Sequence, residues 1–416
     1  MRSLLVYADF DFLPEPLQVG VLNFDQVRGN EVYSFAFSPE WLKQYGGITL
    51  SKDLFTAPGL QYAADGIFGC FSDALPDRWG RTLAEKKEIL DAKREHRLVR
   101  TLTSFDYLLA LDDYMRMGGL RFKEKEDGLY LNDEAGLRVP PFAAIRELAA
   151  AAEAVERSEE KGSLPQERWL FQLLNPGTSL GGARPKSNIL DKDGQLAIAK
   201  YPSRSDRYDV ALWEHFCHLL AVQCGISAAQ TRVEENGKKY HILLSRRFDR
   251  REDGRRLHFA SALTQLGFKD GEGADEGKGY LDIVDFILQA CPDTEKNLEE
   301  LYRRVAFNIC IGNGDDHFRN HGFLLSAKGW TLAPAYDLNP GLSQSQSLMI
   351  TDSTNEASLT ALLEAHDAYF ISRSKAMSIL AEVRQGVSKW PILAKRLHLP
   401  QAEVSLFSGR LDQFHC

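Results

Sequence analysis

No two of the six cysteines (Cys70, Cys217, Cys224, Cys291, Cys310 and Cys416) stand at CxxC spacing, so the chain offers neither a zinc ribbon nor a dithiol redox motif. The scattered thiols do not suggest a disulfide framework either. A reducing, cytoplasmic setting is expected. No apolar stretch approaches the roughly 20 residues that a spanning helix needs, and the N-terminal segment reaches a charge by Asp9, too early for a signal peptide; no membrane association is expected. Positive charge is in deficit: 50 Lys and Arg face 58 Asp and Glu, a net charge of -8 with a pI near 5.8. No general cationic field draws in nucleic acid, although a local basic face is compatible with these totals. No repeat at a fixed period is present. What is there suits a folded protein: 416 residues, 44% hydrophobic and 26% charged, which excludes whole-chain disorder and allows about two or three compact units at roughly 150 residues each.

Three segments near the N-terminus, 4–7, 19–24 and 31–37, are rich in β-branched and aromatic residues and are separated by Pro and Asn/Gly signals. They predict a small β-rich module. Pro76 and Asp77 then open a helix that continues through Ala84 to Leu90. Between Pro140 and Gly162 an Ala- and Glu-rich run favours another helix, and a domain boundary is placed near its start. The Gly-rich stretch 269–279 reads as a mobile loop.

Residues 178–186 read TSLGGARPK. Gly181 and Gly182 let backbone N–H groups approach an anion closely while Arg184 and Lys186 add charge, as in loops that cradle phosphates. The segment is neither a Walker A nor a GxGxxG motif, and adjacent glycines beside a lysine also make ordinary turns. A hairpin follows, with strands over 187–190 and 195–200 and a turn over 191–194. Period-two alternation puts Lys200 on the face of Leu196 and Ile198, where an ammonium needs a partner; a phosphate serves, and so does water reached by the extended stem. An amphipathic helix is predicted over 206–222, with Ser205 and Asp206 as cap candidates and Glu214 within it. A strand lysine followed by a helix glutamate is the pair with which protein kinases hold the α/β-phosphates. His215 and His218 on the same helix are read as packed or surface residues.

A second cluster lies where helix 298–311 runs into GNGDDHFRNH (312–321), followed by strand 322–325, a turn at 328–329, strand 330–334 and Tyr336-Asp337. Asp315 and Asn320 have the D-x-x-x-x-N spacing of a kinase catalytic loop, and Asp337 follows a hairpin, as the kinase magnesium-binding aspartate does. An aspartate can accept a substrate hydroxyl proton, while Asn and a second Asp offer Mg2+ the oxygen ligands that a hard cation prefers. A metal-dependent hydrolase is the competing reading, since His317 and His321 at i, i+4 beside two aspartates suit a transition metal. It leaves Lys200, Asp337 and the glycine loop unexplained.

On these residues the chain resembles the HipA family of bacterial serine/threonine kinases, the toxin members of toxin-antitoxin pairs. The resemblance covers nearly the whole chain. It rests on SLGGARPK (179–186), RFDR (247–250), the 315–320 loop and Tyr336-Asp337, with FSPEWL (37–42) and DALPDRW (73–79) similar to the family's N-terminal subdomain. It implies an α+β fold: a kinase-like two-lobed catalytic domain over 140–416, its N-lobe ending at about 245 and its C-lobe spanning 246–416, with the β-rich subdomain over 1–139.

The resemblance also implies ATP and Mg2+ as cofactors. Gly181, Gly182, Ala183, Arg184, Pro185 and Lys186 become the phosphate loop, Lys200 the phosphate grip with Glu214 as its supporting ion-pair partner, and the backbone of Arg246, Arg247 and Phe248 the adenine hinge. Asp315 becomes the catalytic base. His317, Phe318, Arg319, Asn320, Tyr336 and Asp337 line the nucleotide site, with Asn320 and Asp337 as metal ligands, and Ser179 matches an autophosphorylated serine. The implied partners are a protein substrate, an aminoacyl-tRNA synthetase being an example of the family's translation-related targets, and a HipB-like DNA-binding antitoxin through which alone DNA is reached. Two departures stand out: Asp316 where some members have Gly, and Arg246 where some have an acidic residue. A catalytically silent kinase-fold module acting with an antitoxin or DNA is the alternative; the joint presence of Lys200, Asp315, Asn320 and Asp337 favours the enzyme. The basic residues of 246–256, interleaved with Asp249, Glu252 and Asp253, read as a solvated face.

Overall fold

A computed structural model of the chain describes residues 1–133, 139–177 and 184–414. They fall into two compact units, Met1–Asp206 with Glu234–Ala260, and Arg207–Val233 with Ser261–Cys416.

In the first unit β1 (Arg2–Ala8), β2 (Leu17–Val27), β3 (Asn30–Phe37), β4 (Leu60–Tyr62) and β5 (Leu120–Lys123) form a sheet of order β4-β3-β2-β1-β5, antiparallel throughout. The three expected N-terminal strands are present, each extending beyond its predicted range. β2 and β3 close through Arg28 and Gly29, with φ of +53° and +86°, the two positive values that a type I′ hairpin demands. Helix Arg78–Arg94 begins where Pro76 and Asp77 announce it, with Asp77 as the cap. Its Trp79 and Leu83 share a core with Leu148 and Val155 of helix Ile145–Glu160, with Leu170 and Leu173 of helix Glu167–Gly177, and with Ile189, Ala197 and Leu244. Residues on both sides of position 140 therefore pack into one core. The expected hairpin is β6 (Lys186–Leu190) and β7 (Leu196–Lys200), turning at Gly194 with φ +74°, and β7 pairs next with strand Ile242–Arg246.

Of the basic residues that follow, Arg251 and Arg255 are exposed as a solvated face requires, but Arg247, Arg250 and Arg256 are not. Arg247 is buried and donates to Asp249 at 2.8 and 2.6 Å, to Asn188 Oδ1 at 2.9 Å and to the carbonyls of Met115 and Arg116. Arg250 adds bonds to Asp249 Oδ2 (2.7 Å) and to the carbonyls of Tyr114, Arg116 and Gly118, and Arg256 reaches Asp113 at 2.9 Å. Burial pulls the Arg250 guanidinium down to about 9. Burial alone would raise the Asp249 carboxyl, but Arg247 and Arg250 hold it well below the usual carboxylate range. Buried charge survives here because every one of these guanidinium groups meets carboxylate or carbonyl oxygen, supplied nearby by Asp249 and from far away in sequence by loop 113–118.

The second unit is built around helix Thr294–Ile311, whose Leu301, Val305 and Ile309 are fully buried. The helix predicted from 206 begins at Val210 instead. Asp209 caps it, accepting the Leu212 N–H at 3.1 Å, whereas Asp206 is engaged by both Nη atoms of Arg184 at 2.6 Å. His215 and His218 are packed as expected, bonded to Thr231 Oγ1 and the Ala229 carbonyl; burial pushes His215 down to about 4. The Gly-rich 269–279 stretch is not loose: it wraps a 3-10 turn, Ala274–Glu276, with the Ala274 N–H on the Ser347 carbonyl at 2.8 Å and Lys278 paired with Glu272 at 2.6 Å. Among the described residues no helix is long and apolar enough to cross a membrane.

Candidate active site

Helix Thr294–Ile311 ends at Gly312, whose φ of +69° places its N–H on the Asn308 and Ile309 carbonyls. A side chain here would be strained, and its Cβ would meet the Gly341 carbonyl oxygen at 2.3 Å. The chain thus turns sharply into 313–317. Asn313 folds back on Asn308 at 3.1 Å, and the Gly314 carbonyl takes two bonds from Ser347, from its N–H at 3.0 Å and its hydroxyl at 2.7 Å.

Asp315 follows and is exposed. Its backbone carbonyl accepts the His317 N–H at 3.1 Å and Asn320 Nδ2 at 3.0 Å, which closes the loop on itself. Asp316 is the opposite case. Its buried Oδ2 accepts from the Tyr280 hydroxyl (2.7 Å), Asn308 Nδ2 (2.7 Å) and His321 Nε2 (2.9 Å). Burial alone would raise this carboxyl, but His321, the Tyr280 hydroxyl and His317 together hold it below the usual range. One aspartate is anchored so that its neighbour projects into solvent.

Hairpin Gly322–Ser326 and Gly329–Leu332 then returns the chain to Tyr336, whose hydroxyl donates to the Arg319 carbonyl at 2.5 Å. This bond ties the side chain next to Asp337 to the backbone next to Asn320. Asp337 sits at φ +57°, a conformation that costs a non-glycine residue about 1–3 kcal/mol and tends to mark functional positions; Asn339 Nδ2 lies 3.3 Å from its Oδ1. Phe318 is buried against Phe268, and Arg319 pairs with Asp270 at 2.8 Å.

The competing hydrolase reading finds no support in this arrangement. His321 is committed to Asp316, only 318–320 between the two histidines is helical, and that as a 3-10 turn, and among the described residues no group of three or more His, Cys, Asp or Glu gathers to hold a metal.

In the first unit Lys200 ends β7, half-buried on the face shared with Ile198 and with Leu196, which packs against Met115 and Val139, while Ala197 and Ala199 face the larger core. The Arg247 N–H bonds the Leu196 carbonyl at 3.0 Å, so strand alternation turns the polar backbone of Arg246 away from β7. Glu214, buried on helix Val210–Gln223 of the second unit, has His218 Nε2 at 3.8 Å. Ser179, Gly181, Gly182 and Ala183 lie outside the described residues. Pro185 accepts the Tyr201 N–H at 2.8 Å. The charges of Arg184 and Lys186 are answered from within the unit, by Asp206 and by Asp77 at 3.1 Å. Sequence reasoning missed Asp77, Tyr280 and Ser347 as supports; DALPDRW carried a hint of the first, and nothing local pointed to the other two.

Residues 178–390, just over half of the chain, match the family model of the HipA-like C-terminal domain. The chain belongs to the HipA family. Residues 14–105 match the HipA N-terminal domain. Among curated HipA relatives, the serine/threonine-protein kinase toxin HipA of Shewanella oneidensis is 25% identical over 296 residues, 63% of this chain and 65% of that protein. A putative kinase of Haemophilus influenzae is 25% identical over 196 residues, 42% of this chain and 57% of that one. The chain therefore aligns with less than two thirds of the length of these relatives. Among solved structures, a chain of the Shewanella oneidensis HipA, HipB and operator DNA complex superposes with a TM-score of 0.65 at 17% identity, covering 99% of this chain and 95% of that one. The α+β architecture is accordingly the HipA kinase-like fold.

Proposed function

We propose that this HipA-family protein is a serine/threonine protein kinase that transfers the γ-phosphoryl group of ATP to a protein hydroxyl. The observation that carries this reading is the loop at the end of helix Thr294–Ile311, where an exposed Asp315, an Asn320 clasped to its carbonyl and an Asp337 beside the Tyr336 that bonds the Arg319 carbonyl follow one another in kinase order. In this reading an Asp315 carboxylate oxygen takes the proton of the substrate hydroxyl as the hydroxyl oxygen attacks the γ-phosphorus, and the bond from that phosphorus to the bridging oxygen breaks so that ADP departs. Asn320 and Asp337 present an amide and a carboxylate, donors that suit Mg2+; when bound, the ion offsets charge on the transferring phosphates. Lys200, with Glu214 as its supporting residue, and loop 181–186, apart from the Lys186 ammonium that Asp77 engages, hold the phosphates, and the 246–248 backbone receives adenine. The substrate is a translation-related protein such as an aminoacyl-tRNA synthetase. A HipB-like antitoxin is the partner through which DNA is approached.

Calorimetry tests the first step: ATP with Mg2+ should bind the purified protein, and Asp337→Asn should weaken binding of the metal-nucleotide complex. No heat from ATP and Mg2+ would instead favour the catalytically silent module.

Autophosphorylation of Ser179 is expected as a self-inactivating step. A phosphate brings about -1.5 to -2 charge into a loop that must receive the phosphates of ATP. Peptide mass spectrometry after incubation with ATP should find phosphate on Ser179 in the wild type and none in Asp315→Asn, with ATP affinity lost in the modified form. An unmodified Ser179 in active enzyme refutes the switch.

A further inference from the structure

Lys186 and Lys200 stand directly opposite each other in the β6/β7 ladder. Side chains at such positions leave the sheet on one face with Cβ atoms roughly 5 Å apart, so both ammonium groups can reach the same region. They are not equivalent. Lys186 is buried, and Asp77 Oδ2 lies 3.1 Å from its Nζ, each side chain 4% exposed, whereas Lys200 is half-buried at the strand end.

The turn that carries Asp77 is built for this contact. Asp77 Oδ1 accepts the Gly80 N–H at 2.6 Å, which caps helix Arg78–Arg94, and the Trp79 indole N–H donates to the Lys186 carbonyl at 3.1 Å. One carboxylate oxygen serves the helix and the other serves a lysine at the exit of the 178–185 segment. Burial raises the Asp77 carboxyl to about 6 even with Lys186, the Gly80 N–H and Arg81 beside it, and buried ion pairs seldom recover their desolvation cost.

We propose that Asp77 is a positioning residue that assigns the phosphate contact to Lys200: by neutralising Lys186 and holding it in the core, it keeps the second of two cross-strand cations away from the nucleotide. This rests on the kinase reading and gives the DALPDRW segment a part in the site, which that reading leaves without one.

Asp77→Asn is the informative change, because asparagine caps a helix as well as aspartate does, so the charge goes and the cap stays. Calorimetry with ATP and Mg2+ on the full chain should show Lys200→Met weakening binding at least tenfold. Adding Asp77→Asn should recover at least threefold of that loss, since the released Lys186 takes over, and adding Lys186→Met to the double variant should remove the recovery. A Lys200→Met/Asp77→Asn protein that binds no better than Lys200→Met overturns the proposal, as does recovery that survives Lys186→Met.

Thermal unfolding without nucleotide judges the clamp separately. Asp77→Asn should lower the midpoint by several degrees, and Asp77→Asn/Lys186→Met should regain most of it, because removing one member of a buried pair is costly and removing both is not. Additive losses overturn the clamp. A wild type that binds no ATP overturns the kinase reading, and the thermal cycle still decides whether Asp77 and Lys186 are coupled.

Discussion

Asp315→Asn should abolish phosphoryl transfer, with a loss on the order of 10²–10⁴-fold, while ATP binding stays near the wild-type value. The separation follows from how the loop is held. The carbonyl of Asp315, not its carboxylate, accepts the His317 N–H and Asn320 Nδ2, and the deep anchor of the segment is Asp316. An isosteric amide at an exposed position therefore removes a proton acceptor and leaves the fold and the nucleotide contacts in place. Transfer of labelled γ-phosphate, read beside calorimetry and a melting curve on the same preparation, separates the three quantities. Wild-type transfer by Asp315→Asn would remove the catalytic assignment.

The second large effect is on stability. Asp249→Asn keeps the shape but turns one of two accepting oxygens into an NH2 donor, and it leaves Arg247 and Arg250, both buried, without the carboxylate that they share. Breaking a buried pair in this way costs about 3–5 kcal/mol; urea unfolding of wild type and variant measures it. The pH dependence has a definite sign. The Asp249 carboxyl is depressed in the folded protein, so its contribution is fully present above the ordinary carboxylate value of about 4 and is lost as the pH falls toward the folded value. The gap between wild type and Asp249→Asn should narrow on acidification; a gap of equal size at pH 7 and pH 3 would contradict the electrostatic account.

What the sequence by itself determined is local. Alternation and turn residues set the N-terminal strands and the β6/β7 hairpin, Pro76 and Asp77 set the start of a helix, and the order Asp315, Asn320, Asp337 set the candidate loop, because each depends on neighbours within a few residues. Local signals also misled. Asp206 looked like a helix cap and bonds Arg184 instead, and the basic residues after 245 looked solvated although Arg247 reaches the Met115 carbonyl 132 residues back. Only the tertiary structure decided which distant groups meet: Lys186 with Asp77, Arg247 and Arg250 with the carbonyls of 114–118, Asp316 with Tyr280. The physical reason is that a buried charge is tolerated only where distant chain segments converge to answer it, and that convergence leaves no periodicity or spacing in the sequence to read.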